Sequence, residues 1–270
     1  VARTPVRSPD GKPKILPPIR PNVGITVAYQ KRLDALIAEM QNSLVYWLTA
    51  QYRKTPPVMA MDRNPANELN DAFEKLARRW LRRFNQLAPS MASYFGTAVQ
   101  KRSDASLKAA LKRAGVTVQF KMTKAQKDAL DATINENVGL IKSIAQQHLA
   151  EVQGLVMRSV SAGRDMGSLS KELQARYGVT KRRAALIART QNEMATATMN
   201  RARQVELGIT EAVWMHSSAG REPRPSHVAM NGKRYEVAKG MFDPEVDKMI
   251  LPGQLINCRC SSRSIIPGLD

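Results

Sequence analysis

The two cysteines stand one residue apart in the stretch LPGQLINCRCSSRSII, at Cys258 and Cys260. Upstream, REPRPSHVAMNG places His227 among Arg224, Asn231 and Gly232. Two thiolates and an imidazole are the donor types of a structural zinc site, which is normally four-coordinate with nitrogen and sulfur ligands. His216 offers a fourth donor. The C-x-C spacing departs from the usual C-x2-4-C pair, so by itself it leaves zinc open. On an extended chain, residues two apart share a face, so both thiols can reach one metal or one buried pocket. The alternative is a pair of small buried hydrophobes. A disulfide across a single residue would be badly strained. Cys258 or Cys260 with His227 is also formally a nucleophile and base. No residue in the sequence is visibly placed to orient that histidine, and no nucleophile motif surrounds either thiol. Glu236, Asp243, Glu245 and Asp247 read as carboxylates scattered through a loop. A phosphate-cradling glycine loop and a dinucleotide fingerprint are both missing. A structural role is therefore expected, and no enzyme activity.

The elements that must hold these residues are mostly helical. Leu33, Leu36, Ile37, Met40, Leu44, Trp47 and Leu48 recur at helical spacing and predict a long helix with one apolar stripe. A second helix follows, with Leu69, Phe73, Leu76, Trp80, Leu81 and Phe84 on its buried side, and it is expected to break at Pro89. Its opposite side carries Lys75, Arg78, Arg79, Arg82 and Arg83. Like charges at i,i+4 repel, so this stripe calls for either plain solvation or an anionic partner, phosphate or acidic protein. Thr123 and Gln126 read as a capping box opening a third helix, whose apolar stripe includes His148. A glycine-punctuated turn, SAGRDMGS, precedes a short helix over Leu169 to Tyr177. Gly178 and Thr180 are expected to close it and cap the next, which contains IARTQ with Arg189 and Thr190. EAVWMH, GKRYEV and SSRSII then read as strands.

The expected fold class is mainly α. It comprises an extended basic, proline-rich arm at 1–24, an elongated helical body at 25–162 and a small carboxy-terminal α+β module at 163–270. The arm carries Arg3, Arg7, Lys12, Lys14 and Arg20 against Asp10 alone, and nothing in it looks able to build a core. It is expected to wrap a neighbouring protein. The chain of 270 residues is 43% hydrophobic and only 5% aromatic, with a net charge of +19. That charge calls for a polyanion or acidic partner, nucleic acid first. The sequence contains no apolar run approaching a membrane span. Two cysteines do not make a disulfide framework, and folding in a reducing cytoplasm is expected.

Taken in order, these elements resemble the Mu F-like family of phage head morphogenesis proteins, the minor head proteins. The family pattern runs from a helix containing ART, through a strand with tryptophan, to an R-P-x-H-x-x-x-[DN]-G loop. It ends in a proline-containing segment closing on CRC. Here these are Ala188-Arg189-Thr190, Trp214, RPSHVAMNG from Arg224 to Gly232, and LPGQLINCRC with Asn257, Cys258, Arg259 and Cys260. The likeness covers roughly Ser168 to Ile266. It implies a low-copy virion component at the portal vertex, made in the host cytoplasm and linked to head assembly and DNA packaging or delivery. The implied partners are the portal protein, the major capsid protein and double-stranded DNA without sequence preference, with no membrane. Two alternatives stay open: a zinc- or cysteine-dependent enzyme acting on nucleic acid or protein, and an assembly factor absent from the mature particle.

Overall fold

The computed structural model describes residues 6–54, 65–161, 166–218 and 222–268. Four long helices dominate: α1 (Val23–Lys54), α2 (Pro65–Arg113), α3 (Lys124–Ser161) and α4 (Met166–Glu206). The fold is mainly α, as the sequence predicts. A short strand β1 (Lys14–Ile15) precedes them. After them come β2 (Glu211–Met215), a short helix α5 (Pro225–Met230), β3 (Arg234–Glu236), β4 (Met241–Asp243), β5 (Lys248–Ile250) and β6 (Ser261–Ile266). Among the described residues, no helix is long and apolar enough to cross a membrane. Arg3 and residues 162–165 of the SAGRDMGS turn lie outside the described residues.

Two compact units share the chain. One comprises Val1–Thr26, Ser93–Ile134 and Arg189–Asp270; the other Val27–Ala92 and Asn135–Ala188. These limits differ from the sequence partition at 24/25 and 162/163, because α2, α3 and α4 each contribute a part to both units. We call them the sheet unit and the bundle unit.

In the bundle unit the expected stripes are buried: Leu33, Leu36, Ile37, Met40, Leu44 and Leu48 from α1, and Leu69, Phe73, Leu76, Trp80 and Phe84 from α2. Trp47 does not follow its stripe and is 50% exposed. Polar contacts lock the helices at fixed heights. Tyr29 donates to Asn137 Oδ1 at 3.0 Å, and Gln41 Nε2 to the Leu173 carbonyl at 3.3 Å.

Two expected breaks are absent. Helix α2 runs on through Pro89, which is exposed, while Ala88, Met91 and Ala92 beside it are buried. Packing of that face offsets the roughly 3 kcal/mol cost of a helical proline. Helix α4 likewise continues through Gly178 and Thr180. The Thr180 hydroxyl donates back to the Arg176 carbonyl at 3.1 Å instead of capping a new helix.

That hydroxyl fixes the tautomer of His148, which is 1% exposed. Since Thr180 spends its proton on Arg176, His148 Nδ1–H must be the donor in their 2.8 Å bond. Nε2 is left bare and without a partner in the interior. Burial, with the Arg176 charge adding to it, pushes the His148 pKa down from 6.5 to about 4. The unfolded chain takes up the proton that the folded chain refuses. The stability this residue contributes is therefore full above 6.5 and lost as pH falls through about 4. The expected loss is about 3 kcal/mol over that window. Urea titrations across it should show the loss in the wild type and a markedly flatter dependence in His148→Leu.

The sheet unit holds a four-stranded antiparallel sheet in the order β1-β6-β2-β3, and a separate β4–β5 hairpin. The three carboxy-terminal strands read from sequence are present. VTVQF is a connector, with Val116, Val118 and Phe120 packed against a core. The amino-terminal segment is extended, yet its apolar residues do build a core. Leu16 and Ile19 pack with Leu107, Leu111, Leu207, Ile209 and Ile266. Lys14 and Ile15 pair with Ile266 and Ile265 as an edge strand. Lys14 is held by Asp10 at 2.9 Å and by the Ala114 carbonyl at 3.2 Å. The physical reason is that β6 would otherwise present an unpaired edge, and this segment covers it. Arg7, Lys12 and Arg20 remain exposed.

Two residues of one α4 turn tie the helix to its surroundings in this unit. Gln204 Nε2 donates to Ser262 Oγ at 3.0 Å and Ser264 Oγ at 2.8 Å on β6. Arg203, 1% exposed, forks onto Asp104 with Nε–Oδ1 at 2.8 Å and Nη2–Oδ2 at 2.7 Å. Its Nη1 donates to Glu206 at 2.6 Å and to the Lys121 carbonyl at 2.8 Å, and the guanidinium stacks 4.5 Å from the Phe120 ring.

Candidate functional site

The residues singled out by chemistry converge on one side of the sheet, around Trp214. Its side chain is fully buried at the centre of a core with Ala212, Met230, Tyr235, Val237, Ile250, Cys258 and Cys260. The Trp214 ring meets the His227 ring edge-on at 5.5 Å and the Tyr235 ring at 6.0 Å. His227 lies on α5, a helix the sequence reading took for loop. Proline at its first turn starts this helix, and the Ser226 N–H donates to Glu245 Oε1 at 2.9 Å. It ends at Asn231 and Gly232. Asn231 Oδ1 accepts from the His216 N–H at 2.9 Å, and the Gly232 N–H donates to the Trp214 carbonyl at 2.8 Å. Gly232 has φ +78°, a conformation that costs glycine little and other residues much.

The CRC segment is held by two arginines. Asn257 adopts φ 62°, which asparagine tolerates better than most, and accepts from Arg189 Nη2 at 3.2 Å. Arg224 Nη2 donates to the Ile256 carbonyl at 3.0 Å. Thr190 is buried in α4, and Arg259 is half-buried beside Glu193. Gly253, at φ +80°, sits where a Cβ would come within 3.0 Å of Ala197. The motif residues are therefore a set of latches between α4, α5, β2 and the CRC loop.

Inside the latches, His227 Nδ1 lies 3.5 Å from Cys258 Sγ and 3.6 Å from Cys260 Sγ. Cys260 Sγ also lies 3.6 Å from His216 Nδ1. His227, Cys258 and Cys260 are 2%, 3% and 4% exposed, so both sulfurs are buried. Both thiols are free. The two thiols perturb each other: the neighbouring Cys260 side chain holds Cys258 down, to about 5, against burial. The neighbouring Cys258, with burial, pushes Cys260 up.

One expectation is overturned here. His227 does have an orienting acid: Asp243, fully buried on β4, places Oδ2 3.2 Å from Nε2. Burial opposes the Asp243 charge, but the Glu245 amide and His227 hold its pKa below the ordinary carboxylate value. The acid was missed because β4 and β5 form a hairpin, pairing Met241 with Ile250 and Asp243 with Lys248, where the sequence suggested loop. Phe242, facing away at 55% exposed, masks the alternation that would have marked a strand. Since an ionised carboxylate only accepts, Nε2 carries a proton, and Nδ1 is the nitrogen that faces both sulfurs.

A cavity of about 560 Å³ opens beside this cluster, lined by Glu193, Arg201, Tyr235, Leu251 and Cys260 among others. Burial raises Glu193 to about 7, and the nearby Cys258 adds to the shift. Sequence reasoning missed Glu193, one charge on a polar stretch of helix with no spacing to mark it.

The basic stripe lies elsewhere, in the bundle unit. Lys75, Arg78, Arg79, Arg82 and Arg83 are all exposed, and Arg78 pairs with Glu74 at 3.1 Å.

The chain is 35% identical over 147 residues to an uncharacterized protein of Haemophilus influenzae, an alignment spanning 53% of this chain and 30% of that relative. No solved structure matches the chain. Residues 150–263 match the family described as Phage Mu protein F like protein, a span that takes in ART, Trp214, the RPSH helix and CRC. The site thus lies within the segment that is similar to the Phage Mu protein F like family.

Proposed function

We propose that this protein is a minor head protein of a phage particle, a non-enzymatic, low-copy component seated at the portal vertex. The observation that carries this reading is the family match over residues 150–263. In this role the latched module docks on protein, with the portal and the major capsid protein as partners. The basic surface contacts packaged double-stranded DNA without reading its sequence. The net charge of +19 supports that contact, as does the exposure of the α2 stripe. The amino-terminal segment still offers Arg7, Lys12 and Arg20 to a partner, although its apolar residues are committed to this chain.

Two measurements test the proposal. Mass spectrometry of purified particles should find the protein at a few copies; its absence would favour an assembly factor that leaves before maturation. Duplexes of random sequence, titrated at several salt concentrations, should bind with an affinity that falls steeply as salt rises. The logarithmic slope is expected to weaken by roughly 0.9 for each phosphate contact removed. Changing Lys75, Arg79, Arg82 and Arg83 to glutamine should therefore flatten it. An unchanged slope would move DNA off this surface.

A second reading is favoured by one observation, the Cys258–His227–Asp243 line, which has the order of a nucleophile, a base and its orienting acid. Burial of both sulfurs opposes it, since a reactive thiol needs access.

A further inference from the structure

We propose that His227, Cys258 and Cys260 bind one zinc ion, with His216 completing the coordination and Asp243 as the outer partner that orients His227. This goes beyond the proposed function and does not depend on it.

The first argument is metric. Zinc bonds of about 2.3 Å to sulfur and about 2.05 Å to nitrogen, set at tetrahedral angles, put a sulfur and a nitrogen ligand about 3.6 Å apart. The sulfur–nitrogen separations here are 3.5, 3.6 and 3.6 Å. The ligand atoms of His227, Cys258 and Cys260 all lie within 4.8 Å of one another. His216, half-buried just beyond the end of β2, is the further nitrogen that touches the group, through Cys260.

The second argument is the use of donors and acceptors. His227 Nδ1 faces both sulfurs at nearly equal distance, yet one lone pair serves one thiol well. A cation between them satisfies the nitrogen and both sulfurs at once. Asp243 at 3.2 Å from Nε2 is the carboxylate–histidine arrangement that fixes the ring and raises the basicity of a metal ligand. A core of small buried hydrophobes has no use for a fully buried carboxylate aimed at a histidine. Third, the central ligands are buried. Structural zinc takes all its ligands from protein, and His227, Cys258 and Cys260 are 2–4% exposed with Trp214 packed over His227.

The test uses the full chain. Protein freed of metal under reducing conditions is titrated with cobalt(II) alone, then with zinc alone. Cobalt should bind one to one, with a thiolate-to-metal charge-transfer band and the intense d–d bands of tetrahedral coordination; zinc should then abolish both. Cys258→Ser and Cys260→Ser should each remove the charge-transfer intensity of one thiolate and lower affinity sharply. His216→Ala should leave binding intact but weaker, with altered d–d bands. Asp243→Asn should reduce zinc affinity by about 10- to 100-fold while leaving the cobalt spectrum tetrahedral. That spectrum is a readout that a merely destabilised fold would not preserve. The titration of wild-type protein does not depend on any variant folding. Cobalt that stays octahedral, or both thiols staying freely titratable with excess zinc, overturns the proposal. Stoichiometric alkylation of a single thiol at neutral pH that excess zinc does not slow overturns it in favour of the nucleophile reading.

Discussion

Arg203→Ala is expected to destabilise the sheet unit by roughly 3–5 kcal/mol, the range for removing one member of a buried ionic cluster. The guanidinium is 1% exposed and makes two bonds to Asp104, one to Glu206 and one to the Lys121 carbonyl. Removing it takes the guanidinium away from two carboxylates whose side chains are 16% and 8% exposed. Urea unfolding followed by Trp214 fluorescence, in a Trp47→Phe and Trp80→Phe background, reports on this unit. The combined variant Arg203→Met, Asp104→Leu, Glu206→Leu should recover much of the loss, because no charge is then left unpaired. A loss below about 1 kcal/mol in Arg203→Ala would mean that water reaches the carboxylates and the cluster is solvated like a surface pair.

Trp214→Ala is expected to cost about 3–5 kcal/mol by the same kind of measurement, through cavity formation rather than stranded charge. The indole is fully buried and is the common neighbour of His227 and Tyr235. Its loss removes the packing that holds α5 over the CRC loop. Native-state hydrogen exchange should show the β2 and β6 amides losing protection together, since Ala212 to Met215 pair with Ser264 to Ser261. Trp214→Phe keeps a ring and should recover part of the loss. Protection unchanged in Trp214→Ala would show that the sheet does not depend on this core.

The sequence marks the site residues through residue type and the helix-forming segments through apolar periodicity. Cys258, Cys260, His227 and Trp214 are rare residue types, so their positions draw notice, and the structure places them together. Asp243 and Glu193 are common types whose meaning comes from what folds over them, and no local spacing signals that. Pro89 and Gly178 mislead for a related reason. Each weakens a helix locally, but the helix is held by a buried face that a local reading does not weigh. Arg203 reads as one more cation among many, and only tertiary structure turns it inward. The amino-terminal segment misleads because Leu16 and Ile19 are too few to form a core alone. They suffice once Leu107, Leu207 and Ile266 supply the rest.

The pairing of Lys14 with Ile266 has a consequence for synthesis. On the ribosome, the first segment emerges long before β6 exists. The bundle unit needs nothing beyond Ala188, so its residues can settle while translation continues. The sheet unit cannot close until Ser261–Ile266 has left the exit tunnel, and its contacts are among the most distant the chain contains. Until then Leu16 and Ile19 lack Ile266, one of the residues they pack against. Arrival of β6 supplies it. The pairing therefore makes closure of the sheet unit a late step of synthesis, one that waits for Ser261–Ile266.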